Sequence, residues 1–217
     1  MYRQSNNKYF RQSLVENNNS KYLNQKVNIN SNPAFSNLTL NQCWDDLLVS
    51  ASTFTVASSI RPPASTKIAD IAGGSANGVY GWSFEEGKSQ DVMCSTQLSH
   101  KYKLGSTLYP HIHISVPTNE ALKYIQFSLE YFVVSLGSAY TDSVIITTAP
   151  LLCPAAKTHV LLQFPNIVGT GLGISSIFYS RLTRDTIAND YTGIVNLLSF
   201  DIHIEMDSLG SHTEYLK

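Results

Sequence analysis

His111 and His113 stand two residues apart, and His203 is flanked at the same spacing by Asp201 and Glu205. No other residues of the chain are so suited by type and spacing to chemistry. Imidazoles with a carboxylate can bind a transition metal such as zinc, iron or manganese, and the same groups make polar contacts between subunits. Three readings stay open on the pattern alone: a metal centre, a polar subunit interface and a solvated face. A histidine pair of this spacing on a strand is also found in metal-binding cupins, so a cupin-like metal-dependent enzyme is one functional alternative. Third and fourth ligands are only inferred. The expectation is therefore no tightly bound metal and no other cofactor, with His111, His113 and His203 the candidate ligands if a metal is held.

These residues need strands to position them. From Leu108 to Val116 the sequence alternates, with Leu108, Pro110, Ile112, Ile114 and Val116 on one face and Tyr109, His111, His113 and Ser115 on the other. From Leu197 to Met206 the even positions (Leu198, Phe200, Ile202, Ile204, Met206) are apolar and the odd ones, Ser199 to Glu205, are polar. If the two strands were neighbours, their polar faces would meet. The carboxylates would then favour protonated imidazoles and raise their pKa, giving stability that is lost as pH rises through the folded value.

Other chemistries find less support. Gly169-x-Gly171-x-Gly173 lacks the phosphate-loop pattern and no long helix follows, so it reads as a hairpin turn. No G-x-S-x-G elbow occurs. Asp45-Asp46 and Glu85-Glu86 read as solvated charges in turns. Trp44, Tyr80 and Trp82 could stack on a sugar, which makes a carbohydrate-binding module a further alternative.

The remaining periodic segments are Ser52–Val56, Val79–Phe84, Asp91–Leu98, Tyr124–Val134, Asp142–Thr148, Thr158–Phe164 and Ile174–Arg184. Eight or nine short strands, no long helix and Gly-, Pro- and Asn-rich connections predict an all-β, antiparallel two-sheet sandwich. A jelly roll is the first choice and an immunoglobulin-like sandwich the second. A hydrophobic content of 43% with 14% charge fits a folded domain, and a net charge of -1 gives no overall attraction to nucleic acid. Cys43, Cys94 and Cys153 are odd in number and widely spaced, as expected of reduced thiols. The polar N-terminus carries no readable export signal, and no apolar run is long enough to span a bilayer.

Residues 1–42 differ in character. They hold 11 of the 16 asparagines and five basic residues against one acid, so this arm is near +4 and residues 43–217 near -5. With few large apolar residues besides Tyr2, Tyr9, Phe10 and Tyr22, it is expected to be an extended arm that orders on a partner.

The chain resembles a family of tailed-phage and metagenomic-virus proteins. The resemblance is carried by Trp44-Asp-Asp-Leu47, by Leu98-Ser-His-Lys-Tyr-Lys-Leu-Gly-Ser-Thr-Leu-Tyr-Pro-His-Ile-His-Ile114, by Arg181-Leu-Thr-Arg-Asp185 and by Phe200-Asp-Ile-His-Ile-Glu-Met-Asp-Ser-Leu-Gly-Ser-His-Thr-Glu-Tyr215. In motif form these include K-x-G-S-x-x-x-P-H-x-H and D-x-H-x-E-x-D-x-x-G-S. The chain departs from the pattern at Ile114, where the family has Trp, and at Ser99, where it has Pro. The resemblance implies a jelly-roll virion component made in the host bacterial cytoplasm: a capsid decoration protein, head fibre or tail accessory subunit without enzymatic activity. The resemblance runs from about residue 43 to the C-terminus and does not include the arm. Taken with the arm's composition, the expectation is attachment to other virion proteins through residues 1–42 and a homo-oligomer, a trimer by preference, while charge and hydropathy lead to no nucleic-acid or membrane partner. The candidate interface residues are His111, His113, Asp201, His203, Glu205, Trp44, Tyr9 and Phe10.

Overall fold

A computed structural model of the chain describes residues 43–56, 63–70, 78–88, 90–184, 190–211 and 213–217. The arm at 1–42, with Tyr9 and Phe10, lies outside the described residues. The described residues form strands β1 (Cys43–Ser50), β2 (Thr55–Val56), β3 (Ala64–Asp70), β4 (Gly78–Phe84), β5 (Asp91–Gln97), β6 (Leu108–Ser115), β7 (Tyr124–Ile125), β8 (Phe127–Val134), β9 (Val144–Thr147), β10 (Leu151–Leu152), β11 (Val160–Gln163), β12 (Ile177–Arg184) and β13 (Val195–Met206). One sheet runs β11-β6-β13-β4-β3 with β1 also on β13. A second runs β2-β5-β12-β8-β9, and β7 and β10 pair as a small ribbon. Every pairing between these strands is antiparallel.

The strand order is that of a jelly roll. Eight strands make two facing sets, β1-β13-β6-β11 and β5-β12-β8-β9. Apart from the step from β8 to β9, each passage along these eight crosses from one sheet to the other, and β2, β3, β4, β7 and β10 are additions to that frame. Alternation explains why the two sets pack. Leu108, Ile112 and Ile114 of β6, Phe200, Ile202 and Ile204 of β13, and Leu47 and Val49 of β1 turn inward. They meet Phe127 and Leu129 of β8 and Phe178 and Leu182 of β12. Phe178 stacks on Phe200, ring centroids 6.1 Å apart, and Phe84 meets Phe127 edge-on at 5.4 Å, so aromatic pairs join the two sheets. Each such buried ring contributes about 1.5–3 kcal/mol over an exposed one.

Several segments differ from their sequence-based expectation. Ser52–Val56 is not one strand. The Ser50 hydroxyl accepts from the Ser52 amide and caps a 3-10 turn at Ala51–Thr53, leaving only β2 extended. Gly169–Gly173 is not a hairpin turn either, because it leads from β11 in one sheet to β12 in the other. Within β13 the register against β6 shifts between Leu197 and Ser199. Leu197 therefore occupies the core, and Leu198 is the extra residue of a β-bulge rather than a member of the apolar face. The bulge falls where the neighbour of β13 changes: β4 pairs with Val195–Leu197, and β1 with Ser199–Met206.

Candidate functional site

The outer face of β1-β13-β6-β11 collects the polar residues of the alternating strands. Register sets the arrangement. His203 lies opposite both Asp46 of β1 and Tyr109 of β6, Asp201 lies opposite His111, and Ser199 lies opposite His113. His111 and His113 are in turn opposite Gln163 and Leu161 of β11. The expectation that the two polar faces meet therefore holds.

Four imidazoles run diagonally across the strands. Ring centroids are 4.3 Å apart for His203 and His111, 5.1 Å for His111 and His113, and 4.8 Å for His113 and His159. Asp201 Oδ2 sits between two of them, 2.8 Å from His113 Nε2 and 3.6 Å from His111 Nε2. His203 Nε2 is 2.9 Å from Asp46 Oδ1. Each Nδ1 of the HxH pair is also engaged, His111 with the Tyr109 carbonyl at 3.3 Å and His113 with His159 Nε2 at 2.6 Å. His111, His113 and Asp201 present ligand atoms within 4.8 Å of one another.

Beside this run a groove of about 570 Å³ is lined by Trp44, Asp46, Tyr109, His111, Leu161, Gln163 and His203. Trp44 is 49% exposed and meets the Tyr109 ring edge-on at 5.2 Å. Of the interface candidates, His111, His113, Asp201, His203 and Trp44 are thus gathered on one face, while Glu205 turns to Lys103 at 2.6 Å and leaves the imidazoles. Trp82 is no sugar platform. It is half-buried and its indole N–H donates to the Ala51 carbonyl at 2.7 Å.

Asp46 and His159 also join the cluster, although the sequence pattern does not single them out. Asp46 read as a solvated turn charge, but β1 is a strand and points it at His203. His159 shares the parity of Leu161 and Gln163, so a strand from Thr158 would have aimed it at this face had β11 been known to neighbour β6.

The expected rise in imidazole pKa is reversed at His111. Burial comes first and pushes its pKa down; the bond to the Tyr109 carbonyl and the Asp201 charge oppose this, while His203 and His113 add to it. Asp201 moves up, again chiefly through burial, with His113 and His111 opposing. The unfolded chain therefore binds more protons at His111 below the ordinary histidine value, and this contribution to stability is present above about pH 6.5 and lost as pH falls. Asp201 acts oppositely, favouring the fold less as pH rises from the ordinary carboxylate range. In EDTA, His111→Gln is expected to flatten the acid side of the stability profile by at most about 1.4 kcal/mol per pH unit. Urea denaturation between pH 5 and 8, the interval over which His changes charge, checks this. A slope unchanged by the substitution would contradict it.

No protein-family model and no curated protein matches the chain. Among solved structures it is similar to a Clostridium thermocellum endo-1,4-β-D-xylanase fragment of CBM22-1 and GH10 modules complexed with xylohexaose. The TM-score is 0.40 at 12% identity, over 79% of this chain and 29% of that one. It is also similar to dimeric latent PorU of Porphyromonas gingivalis, with TM-score 0.39 and 11% identity, over 81% of this chain and 14% of that one. A third likeness is to TmCBM61 complexed with β-1,4-galactotriose, with TM-score 0.30 and 12% identity, over 82% and 97% of the two chains. The chain thus spans under a third of the first two structures. Likenesses this loose carry nothing about what the chain binds.

Proposed function

We propose that the chain is a non-enzymatic structural subunit of a bacteriophage virion, a capsid decoration protein, head fibre or tail accessory subunit, whose outer β1-β13-β6-β11 face is a recognition surface. One observation carries the reading. Three of the four segments that resemble the phage family, spread from Trp44 to Tyr215, bring side chains together on and beside one sheet face, while Arg181–Arg184 of the fourth lie on β12 of the other sheet. Trp44 and Asp46, His111 and His113, and Asp201 and His203 make the face itself. The other motif residues brace it. Lys101 pairs with Asp45 at 3.1 Å, and Lys103 pairs with Glu205. His100 Nδ1 meets Ser211 Oγ at 2.5 Å.

The chemistry of the chain favours binding over turnover. The groove lies on the outside of a sheet, and the Cys94 thiol is pushed up to about 11 by burial, too high for a nucleophile at neutral pH. The Ser211 hydroxyl donates to the Thr213 carbonyl at 2.5 Å, so its proton is not offered to His100. In this reading residues 1–42 anchor the subunit to capsid or tail proteins and the sandwich assembles as a homotrimer. Deleting residues 1–42 is expected to leave a folded domain that no longer joins the particle. Normal incorporation of the truncated chain, measured on purified particles, would overturn the anchoring role.

The groove favours a second reading, binding of a host glycan. Trp44 and Tyr109 offer aromatic surface beside the hydrogen-bonding groups of Asp46, His203 and Gln163. Under it, Trp44→Ala keeps particle incorporation and abolishes retardation in gels that contain host surface polysaccharide.

A further inference from the structure

We infer that His111, His113 and Asp201 bind one divalent transition-metal ion of the zinc class on the outer sheet face. Three independent features of the structure support this.

The first is spacing. Ligands about 2.1 Å from a shared ion lie roughly 3–3.5 Å from each other. Asp201 Oδ2 is 2.8 Å and 3.6 Å from the two Nε2 atoms, and all three ligand atoms lie within 4.8 Å of one another, so a shift of the two imidazoles toward each other by about an ångström brings them onto one ion. The donor set of two imidazoles and a carboxylate suits zinc, iron, nickel or copper and not magnesium or calcium, which take oxygen ligands.

The second is the state of the other ring nitrogens. A metal-bound histidine donates its remaining N–H to an acceptor, which fixes its tautomer. Both histidines have such an acceptor at Nδ1, the Tyr109 carbonyl for His111 and His159 Nε2 for His113. With those protons placed, both Nε2 atoms are left unprotonated, 3.6 Å (His111) and 2.8 Å (His113) from Asp201 Oδ2. Without a metal, the alternative tautomer of His113 carries its proton on Nε2, 2.8 Å from Asp201 Oδ2, and its Nδ1 accepts from His159 Nε2–H. Metal binding therefore puts the His113 proton on Nδ1 and the His159 proton on its own Nδ1, so that His159 Nε2 becomes the acceptor.

The third is an uncompensated carboxylate. Asp201 is 5% exposed, and its Oδ1 is buried with no hydrogen-bond partner among the described residues. Its only ion-pair partners among those residues are His111 and His113, and neither Lys nor Arg reaches it. A buried carboxylate without a compensating charge is costly, and a bound cation removes that cost. Ser199 Oγ donates to Oδ2 at 3.2 Å and holds the carboxylate in place. The groove beside His111 gives access and leaves room for a further, non-protein ligand. The pairing of Asp201 with the HxH strand and the partner at His159 belong to the tertiary register and are not visible in the sequence.

This inference does not depend on a role in a virion, since it is tested on the isolated chain. Protein stripped with EDTA is titrated with zinc chloride by calorimetry at pH 7.5. One ion per chain is expected, with a Kd of about 1 µM or tighter, and cobalt substitution should give the visible absorption of a four-coordinate site. His113→Gln, at the least buried of the three ligands, should weaken binding more than about 100-fold, and His159→Ala about 10–100-fold with the stoichiometry kept. His203→Gln, beside His111 and outside the ligand set, should keep one ion per chain. Zinc binding that survives His113→Gln, or none tighter than millimolar in the wild type, overturns the proposal. If His113→Gln does not fold, nitrogen-resolved NMR of the wild type decides the matter: zinc must shift the Nε2 resonances of His111 and His113 and leave those of His100. A spectrum without those shifts rejects the site.

Discussion

Replacing Arg184 with methionine is expected to cost the fold about 3–5 kcal/mol, a fall in Tm of roughly 6–20 °C for a domain of this size. Arg184 is 2% exposed and lies on the inward parity of β12, the same as Leu182. Its guanidinium Nη1 donates to the Phe84 carbonyl at 3.0 Å and to the Gly193 carbonyl at 2.7 Å, and its Nη2 donates to the Tyr191 carbonyl. It also lies 5.5 Å from the centre of the Tyr191 ring. One planar cation thereby joins β12, the end of β4 and the loop before β13. Burial pushes its pKa down to about 10, still well above neutral, so the charge is present where the protein works. Methionine fills much of the volume and takes the donor from two buried carbonyls, Phe84 and Tyr191, and from the part-buried Gly193 carbonyl, a buried one costing about 1–3 kcal/mol if left unsatisfied. Lysine should not rescue, because one ammonium lacks the fork that reaches three acceptors. Arg181, three residues earlier in the same motif, is the contrast. It sits on the outer face with Glu130 and with Asp91 at 3.4 Å, and Arg181→Met should cost at most about 1 kcal/mol. Thermal denaturation of the three variants tests the contrast. Equal costs for Arg181→Met and Arg184→Met would mean that the buried bonds contribute no more than the surface ones.

The second large effect is expected at Gly169, where an added methyl has no room. A Cβ there would fall on the Ser106 carbonyl and against the Tyr102 hydroxyl, itself bonded to that carbonyl at 2.6 Å. The clash is with backbone, in the turn Lys103–Ser106 that leads into β6. Relieving it disturbs the paired bonds of 2.9 Å between Leu108 and Ile167, which tie this loop to the first residue of the strand carrying His111 and His113. Gly169→Ala should therefore cost about 3 kcal/mol or more, at the upper end of overpacking. Gly171→Ala differs. Nothing lies near its Cβ position, but its φ is +83°, so the expected cost is the backbone penalty alone, about 1–2 kcal/mol. Urea unfolding of both proteins checks the order, and a Gly169→Ala protein no less stable than Gly171→Ala would show the loop to be adaptable.

The parts of the fold legible in the sequence were those where one face is buried. Leu108–Val116 and Leu197–Met206 alternate because one side of each packs on the opposite sheet, and that alternation assigned the site residues to their face. β3 was not legible, because it is an edge strand with no buried residue and hence no period to read. β1 was hidden by the acids of Trp44-Asp-Asp-Leu47, which mimic a turn. The bulge at Leu198 shifted the apparent apolar face by one position at its start. The site was half legible for a related reason. Parity gives the face on which a side chain lies, but which strand lies beside which depends on long-range pairing. Asp46 and His159 reach the cluster only through the pairings of β1 with β13 and β11 with β6.

The β1–β13 ladder pairs Cys43 with Met206 and Ser50 with Ser199. The chain therefore comes into this sheet and goes out of it at the same end. Residues 43 and 206 lie side by side, next to Trp44 and Glu205. The domain is thus polar along its strand axis, with both borders of this ladder at one end. If residues 1–42 anchor the chain as proposed, a fluorescent protein or epitope placed at that end competes with the attachment, and one placed in an exposed loop of the opposite end does not.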